Sequence, residues 1–200
     1  MPTTLSTIAE LRAHLAQIAP VREQHPPTAT GHPALDAHLG GWPHPGVASI
    51  HGAVGTGRIG LVLPALQSHT RAKRTVAIVD PLGWLHPPGL PGVNLKHLML
   101  IRCGGPKAGW AATQLAGCGA IPMVILLDPP LLAREGLRLL RATESGHSTA
   151  IVLSEQLDPQ LSASTRLRML GHHRIRIERG APGSPIVDIP PWTSPSCLAT

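Results

Sequence analysis

Neither Phe nor Tyr occurs among the 200 residues of this chain, and four Trp are its only large aromatic side chains. Proteins that grip single-stranded nucleic acid stack successive bases on aromatic platforms, so a dedicated binder of that kind is excluded. Cysteine is scarce too: Cys103, Cys118 and Cys197 are odd in number, widely spaced and without a C-x-x-C pair. That pattern excludes a disulfide framework and a structural zinc site, and it fits a reducing compartment. No apolar run approaches the ~18 residues of a membrane span, and no basic segment with an apolar stretch behind it opens the sequence, so a cytoplasmic protein with no membrane contact is expected. Acidic residues are also few, 11 against 17 Lys and Arg. The resulting formal charge of +6 favours acidic partners, nucleic acid among them.

What is present describes one globular domain. Hydrophobic residues make up 42% of the chain and charged residues 14%, enough apolar material at this length for a single sizeable core. The 22 Pro and 21 Gly follow no repeat period, which argues against collagen or a solenoid. The adjacent His172 and His173 have no Cys or carboxylate partner in sequence and are expected to be solvent-exposed rather than metal ligands.

The central motif is a glycine-rich turn. Gly52-Ala53-Val54-Gly55-Thr56-Gly57-Arg58-Ile59 fits the phosphate-binding frame G-x-x-x-x-G-[KR]-x. A short strand, Ala48 to His51, precedes it, and a helical run, Ile59 to Leu66, follows, although Gly60 and Pro64 weaken that helix. An ordinary strand-to-helix turn is the simpler alternative. Arg58 stands in the lysine slot, where a planar guanidinium fits less well between phosphates than a compact ammonium does. Ile59 takes the position of the hydroxyl that holds Mg²⁺ and can ligate nothing. Gly52, Gly55, Thr56, Gly57 and Arg58, with Asp128, therefore form a vestigial nucleotide site in which ATP hydrolysis is crippled even if binding survives. No cofactor and no metal are expected.

Further along, short apolar runs alternate with helical segments. Thr75–Asp80, Leu98–Ile101, Met123–Asp128 and Thr149–Ser154 read as buried parallel strands, and 109–116 and 131–145 as helices. This alternation implies a parallel sheet flanked by helices, with ligands at the carboxyl ends of the strands. Asp80 and Asp128 both fall there, and Asp128 has the form of a carboxylate that holds Mg²⁺ through water. Its simpler role is to make a turn before Pro129-Pro130.

Upstream, Leu5, Ile8, Leu11, Leu15 and Ile18 recur at helical spacing, which predicts an amphipathic helix joined by a Pro-rich linker. Leu5, Ile8, Leu15 and Ile18 dock either on their own core or on another copy of the chain. Downstream, Arg174 to Gly180 alternates at period two, with Arg174, Arg176 and Glu178 on one strand face and Ile175 and Ile177 on the other. Arg166, Arg168, Arg174 and Arg176 are the candidate nucleic-acid contacts, and a solvated edge strand is the alternative. The organisation is thus an N-terminal helix and linker over 1–27, a core over 28–180 and a loose Pro/Ser-rich tail over 181–200.

With these pieces in order, the chain resembles the RecA-like superfamily and, within it, the ImuA family of bacterial translesion-synthesis accessory proteins. The resemblance runs from about Thr30 to Gly180. It is carried by the stretch Thr30-Gly31-His32-Pro33-Ala34-Leu35-Asp36 through Leu39-Gly40-Gly41-Trp42-Pro43 to Gly46, by Leu90–Leu100, by the helix Trp110–Leu115 with Thr113 in place of the family's Glu, by Leu137–Gly146, and by Arg174–Gly180. Leu82 stands where a RecA protein carries the Glu that activates the attacking water. The span Glu155–Ser164 is too short for a recombinase's long second DNA-binding loop, so filament formation with strand exchange is not expected.

The resemblance implies an SOS-induced DNA-damage response role. Its partners would be an ImuB-like Y-family protein, an error-prone polymerase subunit and RecA, with sequence-independent DNA binding and homo-oligomer formation as further expectations. An unusual ATPase using Arg58 and a SulA-like cell-division inhibitor are the alternatives.

Overall fold

The computed structural model describes residues 28–105, 107–129 and 133–190. The N-terminal helix expected over 4–19, with Leu5, Ile8, Leu15 and Ile18, lies outside the described residues.

Helix α1 (Pro33–Leu39) follows the first described residues. Strand β1 (Gly46–His51) leads through the glycine loop into helix α2 (Arg58–Arg71), and β2 (Val76–Val79), β3 (Leu98–Ile101), α3 (Lys107–Gly117), β4 (Met123–Leu127), α4 (Ala133–Gly146) and β5 (Thr149–Ser154) follow. Strands β6 (Thr165–Met169), β7 (Arg174–Arg179) and β8 (Ile186–Asp188) complete one eight-stranded sheet, ordered β3-β2-β4-β5-β1-β6-β7-β8. Pairing is parallel from β3 to β6 and antiparallel across β6-β7-β8.

The sheet is buried on both faces at its centre, which is why β2 and β4 read as unbroken apolar runs; β1 is buried throughout as well, although it carries the polar Ser49 and His51. On one face Ile50, Ile78, Ile125, Ile151, Leu167 and Ile175 pack with Leu61 and Leu66 of α2 and with Leu35 and Trp42. On the other, Val47, Val79, Val124 and Val152 meet Ala108 and Ala112 of α3 and Leu139 of α4. The small residues of α3 let that helix lie close to the sheet. Gly146 lets the end of α4 lie close to α3, since a Cβ there would run into the carbonyl oxygen of Ala116.

The stretch that carries the family resemblance has a structural rationale. The Thr30 amide donates to Asp36 Oδ1 at 2.8 Å, and the His32 amide donates to Thr30 Oγ1 at 3.1 Å, which ties the approaching chain to α1. Gly31 sits at φ +82, where a Cβ would strike the ring of Pro64. Pro64 breaks the α2 hydrogen-bond ladder, as expected of an internal Pro, and in return lets α2 receive this turn.

Two expectations need correction. Strand β7 is not an edge, because β8 pairs with it on the side away from β6. Nor does the chain go loose directly after Gly180: among the described residues of the expected tail, Val187 and Ile189 are buried in the core that packs against α1 and α2. The alternation of Ile186-Val187-Asp188 is too short, and too closely flanked by Pro185 and Pro190, to stand out as a strand.

Candidate functional site

Strand β1 ends at His51, and the glycine loop then turns over the carboxyl edge of the sheet. Gly55 (φ +84) and Gly57 (φ +88) are in the left-handed region open to glycine, so two of the loop's glycines, the second of them a frame position, are needed for backbone reasons. Gly52 donates its amide to Ser154 O at 3.2 Å, and Thr56 turns both its amide (3.2 Å) and its hydroxyl (2.7 Å) to Ala53 O. Two of the loop's amides are therefore engaged within the protein. Ile59, in the place of a metal-binding hydroxyl, packs against the core.

Strand β4 delivers Asp128 two strands away in the sheet, with β5 between. Its backbone is left-handed, at φ +38, a conformation Asp tolerates better than most residues, and its amide continues the ladder to Leu153 O at 2.7 Å. Arg58, at the first position of α2, reaches over the end of β5 to meet it. Its Nη1 donates to Oδ1 at 2.7 Å and its Nη2 to Oδ2 at 3.1 Å. The planar fork matches the carboxylate bidentately. Arg58 is 9% exposed and Asp128 23%.

This pair decides what the site can hold. Both carboxylate oxygens of Asp128 face a guanidinium and Ile59 offers no oxygen, so the donor set does not fit Mg²⁺, which wants hard oxygen ligands in octahedral array. The cation that would meet phosphate is neutralised by the same contact. Asp80, the other strand-end carboxylate, is also used internally: it is buried, and it accepts from the Gly83 amide (2.9 Å) and the Leu85 amide (2.8 Å), shaping the loop after β2.

A cavity of about 480 Å³ opens beside the loop, between Gly55, Arg58, Asp128 and the apolar Leu82, Leu85 and Leu90. Leu82 and Trp84 stand at its mouth, 51% and 68% exposed. Leu82 thus lies beside the glycine loop, where the resemblance puts a water-activating Glu, and it has no group to accept a proton. The exposed Trp84 and the Arg58–Asp128 contact were not foreseen from the sequence. The second had a signal in principle, since a guanidinium and a carboxylate were both assigned to the same edge of the sheet.

The candidate nucleic-acid residues do converge. Register pairs Ser49 with Arg166 and His51 with Arg168 across β1 and β6, then Arg168 with Arg176 across β6 and β7. Neighbouring partners point to one side of a sheet, so Arg166, Arg168, Arg174, Arg176 and Glu178 share a face that no described helix covers. They are not equivalent. Arg174 is gripped by Asp188, Nε to Oδ1 at 2.8 Å and Nη2 to Oδ2 at 3.4 Å, a contact that raises the pKa of Arg174 and lowers that of Asp188. Arg166 is partly tucked under, with Nη2 on Leu161 O at 3.4 Å and a buried Nε that has no partner. Arg168 is exposed and Arg176 half-buried.

At the inner margin of this face His51 Nε2 lies 3.4 Å from Glu178 Oε2. Burial lowers the His51 pKa more than Glu178 raises it, with Arg168 and Arg166 adding to the depression. His172 and His173 are both exposed, as the sequence suggested.

No protein-family model matches the chain, and no curated protein matches it. Among solved structures, the crystal structure of the RadB recombinase aligns with a TM-score of 0.65 at 17% identity, covering 80% of this chain and 93% of that one. At such identity the likeness is one of fold, and it defines the class: the chain has a RecA-like α/β fold, with a mostly parallel sheet flanked by helices. No described helix is long and apolar enough to cross a membrane.

Proposed function

We propose that this RecA-like protein is catalytically silent and acts by binding, as an ImuA-type accessory in the bacterial DNA-damage response. The observation that carries the reading is the bidentate Arg58–Asp128 pair, which joins the two groups that a working site would keep apart for phosphate and metal. Ile59, packed against the core, and Leu82 at the cavity mouth point the same way. What the fold retains is a scaffold with exposed apolar side chains at Val54, Leu82 and Trp84 and an open cationic sheet face. In this reading the scaffold joins an ImuB-like Y-family protein to an error-prone polymerase subunit, while the arginine face makes weak, sequence-independent contacts to DNA phosphates.

The test is to mix purified protein with an ImuB-like partner and follow complex formation by size exclusion, with and without ATP and Mg²⁺. A complex that forms equally in both conditions supports the reading. A complex that requires ATP would favour the ATPase alternative instead. Failure to bind that partner, with binding to a tubulin-like division protein, would move the assignment to a SulA-like inhibitor.

A further inference from the structure

A groove of about 970 Å³ lies at the edge of the sheet opposite the glycine loop, where strands begin and helices end. His44, His69, Lys73, Arg74, Ser145 and His147 line it, and no Asp or Glu among the described residues does. Its charge is therefore of one sign.

The helix ends that frame the groove are built alike. Arg74 donates its amide to His69 O (3.0 Å) and Lys73 to Thr70 O (3.1 Å) at the end of α2, while Ser148 donates to Thr143 O (3.0 Å) at the end of α4. These are bonds of the Schellman closure, whose left-handed residue is ordinarily Gly. Here that residue is Lys73 (φ +57) and His147 (φ +50). The main chain already satisfies the terminal carbonyls, so closing the helices does not require these side chains. Two positions that favour glycine instead present a cation and an imidazole to the same groove.

His69 supplies an independent sign of a ligand. It is 2% exposed, it lines the groove, and neither of its ring nitrogens has a hydrogen-bond partner. Buried polar groups are almost always satisfied, by protein, water or ligand. Burial, reinforced by the charges of Arg74 and His44, lowers its pKa to about 4, so at neutral pH the ring is uncharged and carries one N–H to give.

We propose that this groove is a second ligand site, one that takes a phosphate-bearing anion. Lys73 and Arg74 supply the charge, and His69 donates its N–H to a phosphate oxygen. Phosphate oxygens on a free or nucleotide-borne group and those of a nucleic-acid backbone share this chemistry, and the test separates them.

The full chain is titrated calorimetrically with inorganic pyrophosphate, and by anisotropy with a short labelled DNA duplex, in low salt. The wild type is compared with Lys73→Gly/Arg74→Gln. The first substitution restores the residue the helix closure prefers, so the variant is expected to melt no lower than the wild type. Affinity for the bound probe should fall at least about tenfold through loss of two charge-assisted contacts, and the imidazole ¹⁵N signals of wild-type His69 should shift on titration. Loss of pyrophosphate affinity identifies a free or nucleotide-borne phosphate. Loss confined to the duplex identifies the backbone.

The proposal is overturned if neither probe binds, or if the folded variant binds as well as the wild type. It is likewise overturned if binding persists in that variant and disappears only in Gly57→Asp, because the ligand then belongs to the glycine loop.

Discussion

If Arg58 and Asp128 hold each other as the geometry implies, a double-mutant cycle between them will show strong coupling. Arg58→Met keeps most of the aliphatic volume, and Asp128→Asn keeps a residue that tolerates the left-handed backbone at φ +38. The pair makes two charge-assisted hydrogen bonds at 2.7 and 3.1 Å with 9% and 23% of the side chains exposed. Removing one partner of a buried pair costs about 3–5 kcal/mol. The partly wet carboxylate reduces this, and about 2–3 kcal/mol is expected for Arg58→Met. A coupling energy of about 1–3 kcal/mol should remain when the two single changes are compared with the double.

Urea unfolding followed by circular dichroism measures each corner, with thermal melting as a check, since 1 kcal/mol shifts the midpoint of a 150–250-residue protein by about 2–4 °C. Effects that add to within about 0.5 kcal/mol would refute the reasoning. Arg58 would then be free to serve phosphate, and the argument for a closed site would fail.

Three other perturbations follow from the same geometry. His69 takes up a proton near pH 6.5 when unfolded but only near pH 4 when folded. The unfolded state thus binds more protons between these values, and stability present above pH 6.5 is lost as pH falls towards 4, by up to about 3 kcal/mol. His69→Gln should flatten the difference between urea midpoints at pH 7.5 and pH 5, and an unchanged difference would mean that His69 is not held neutral. Gly31→Ala should destabilise by about 1–3 kcal/mol, because a left-handed backbone and the Pro64 ring both oppose a Cβ there; a neutral effect in urea unfolding would contradict that packing. For DNA, Arg168→Ala/Arg176→Ala should flatten the log-log salt dependence of affinity by about two, whereas Arg174→Ala, whose guanidinium is held by Asp188, should change it by less than one. Equal slopes for the two variants would show that the Asp188 contact does not set Arg174 apart.

Sequence periodicity revealed the centre of the fold better than its margins. Strand β5 falls where its apolar run places it, and β2 and β4 end one residue before the predicted Asp80 and Asp128, because strands buried on both faces need largely apolar sequence. Strand β3 also has the predicted bounds, but it is a half-buried edge strand with Met99 exposed, not the buried strand expected, since only β2 pairs with it. The alternation of Arg174 to Glu178 gave the correct faces. Strand β6 was harder to see, since two of the five residues of Thr165-Arg166-Leu167-Arg168-Met169 are charged, and its apolar side is meaningful only against the core.

The site was legible as a set of positions and not as an arrangement. Gly55, Gly57, Arg58 and Asp128 could each be assigned to one edge, but whether Arg58 points outward to a ligand or across to Asp128 depends on contacts between residues 70 apart in sequence. Asp80 illustrates the converse, because a strand-end carboxylate at a loop start serves equally well as a turn former, and the amides of Gly83 and Leu85 give it that role. The His69 groove left no motif at all, since its residues come from the ends of α2 and α4, the approaches to β1, β2 and β4, and the first described residues.

The central claim is that the glycine loop has lost its catalytic function, and steady-state phosphate release from ATP with Mg²⁺, measured with and without DNA, tests it most directly. The account predicts release indistinguishable from a protein-free control, because Arg58 and Asp128 occupy each other, Ile59 offers no metal ligand and Leu82 no base. Sustained turnover that is abolished by Gly57→Asp and by Asp128→Ala would contradict it.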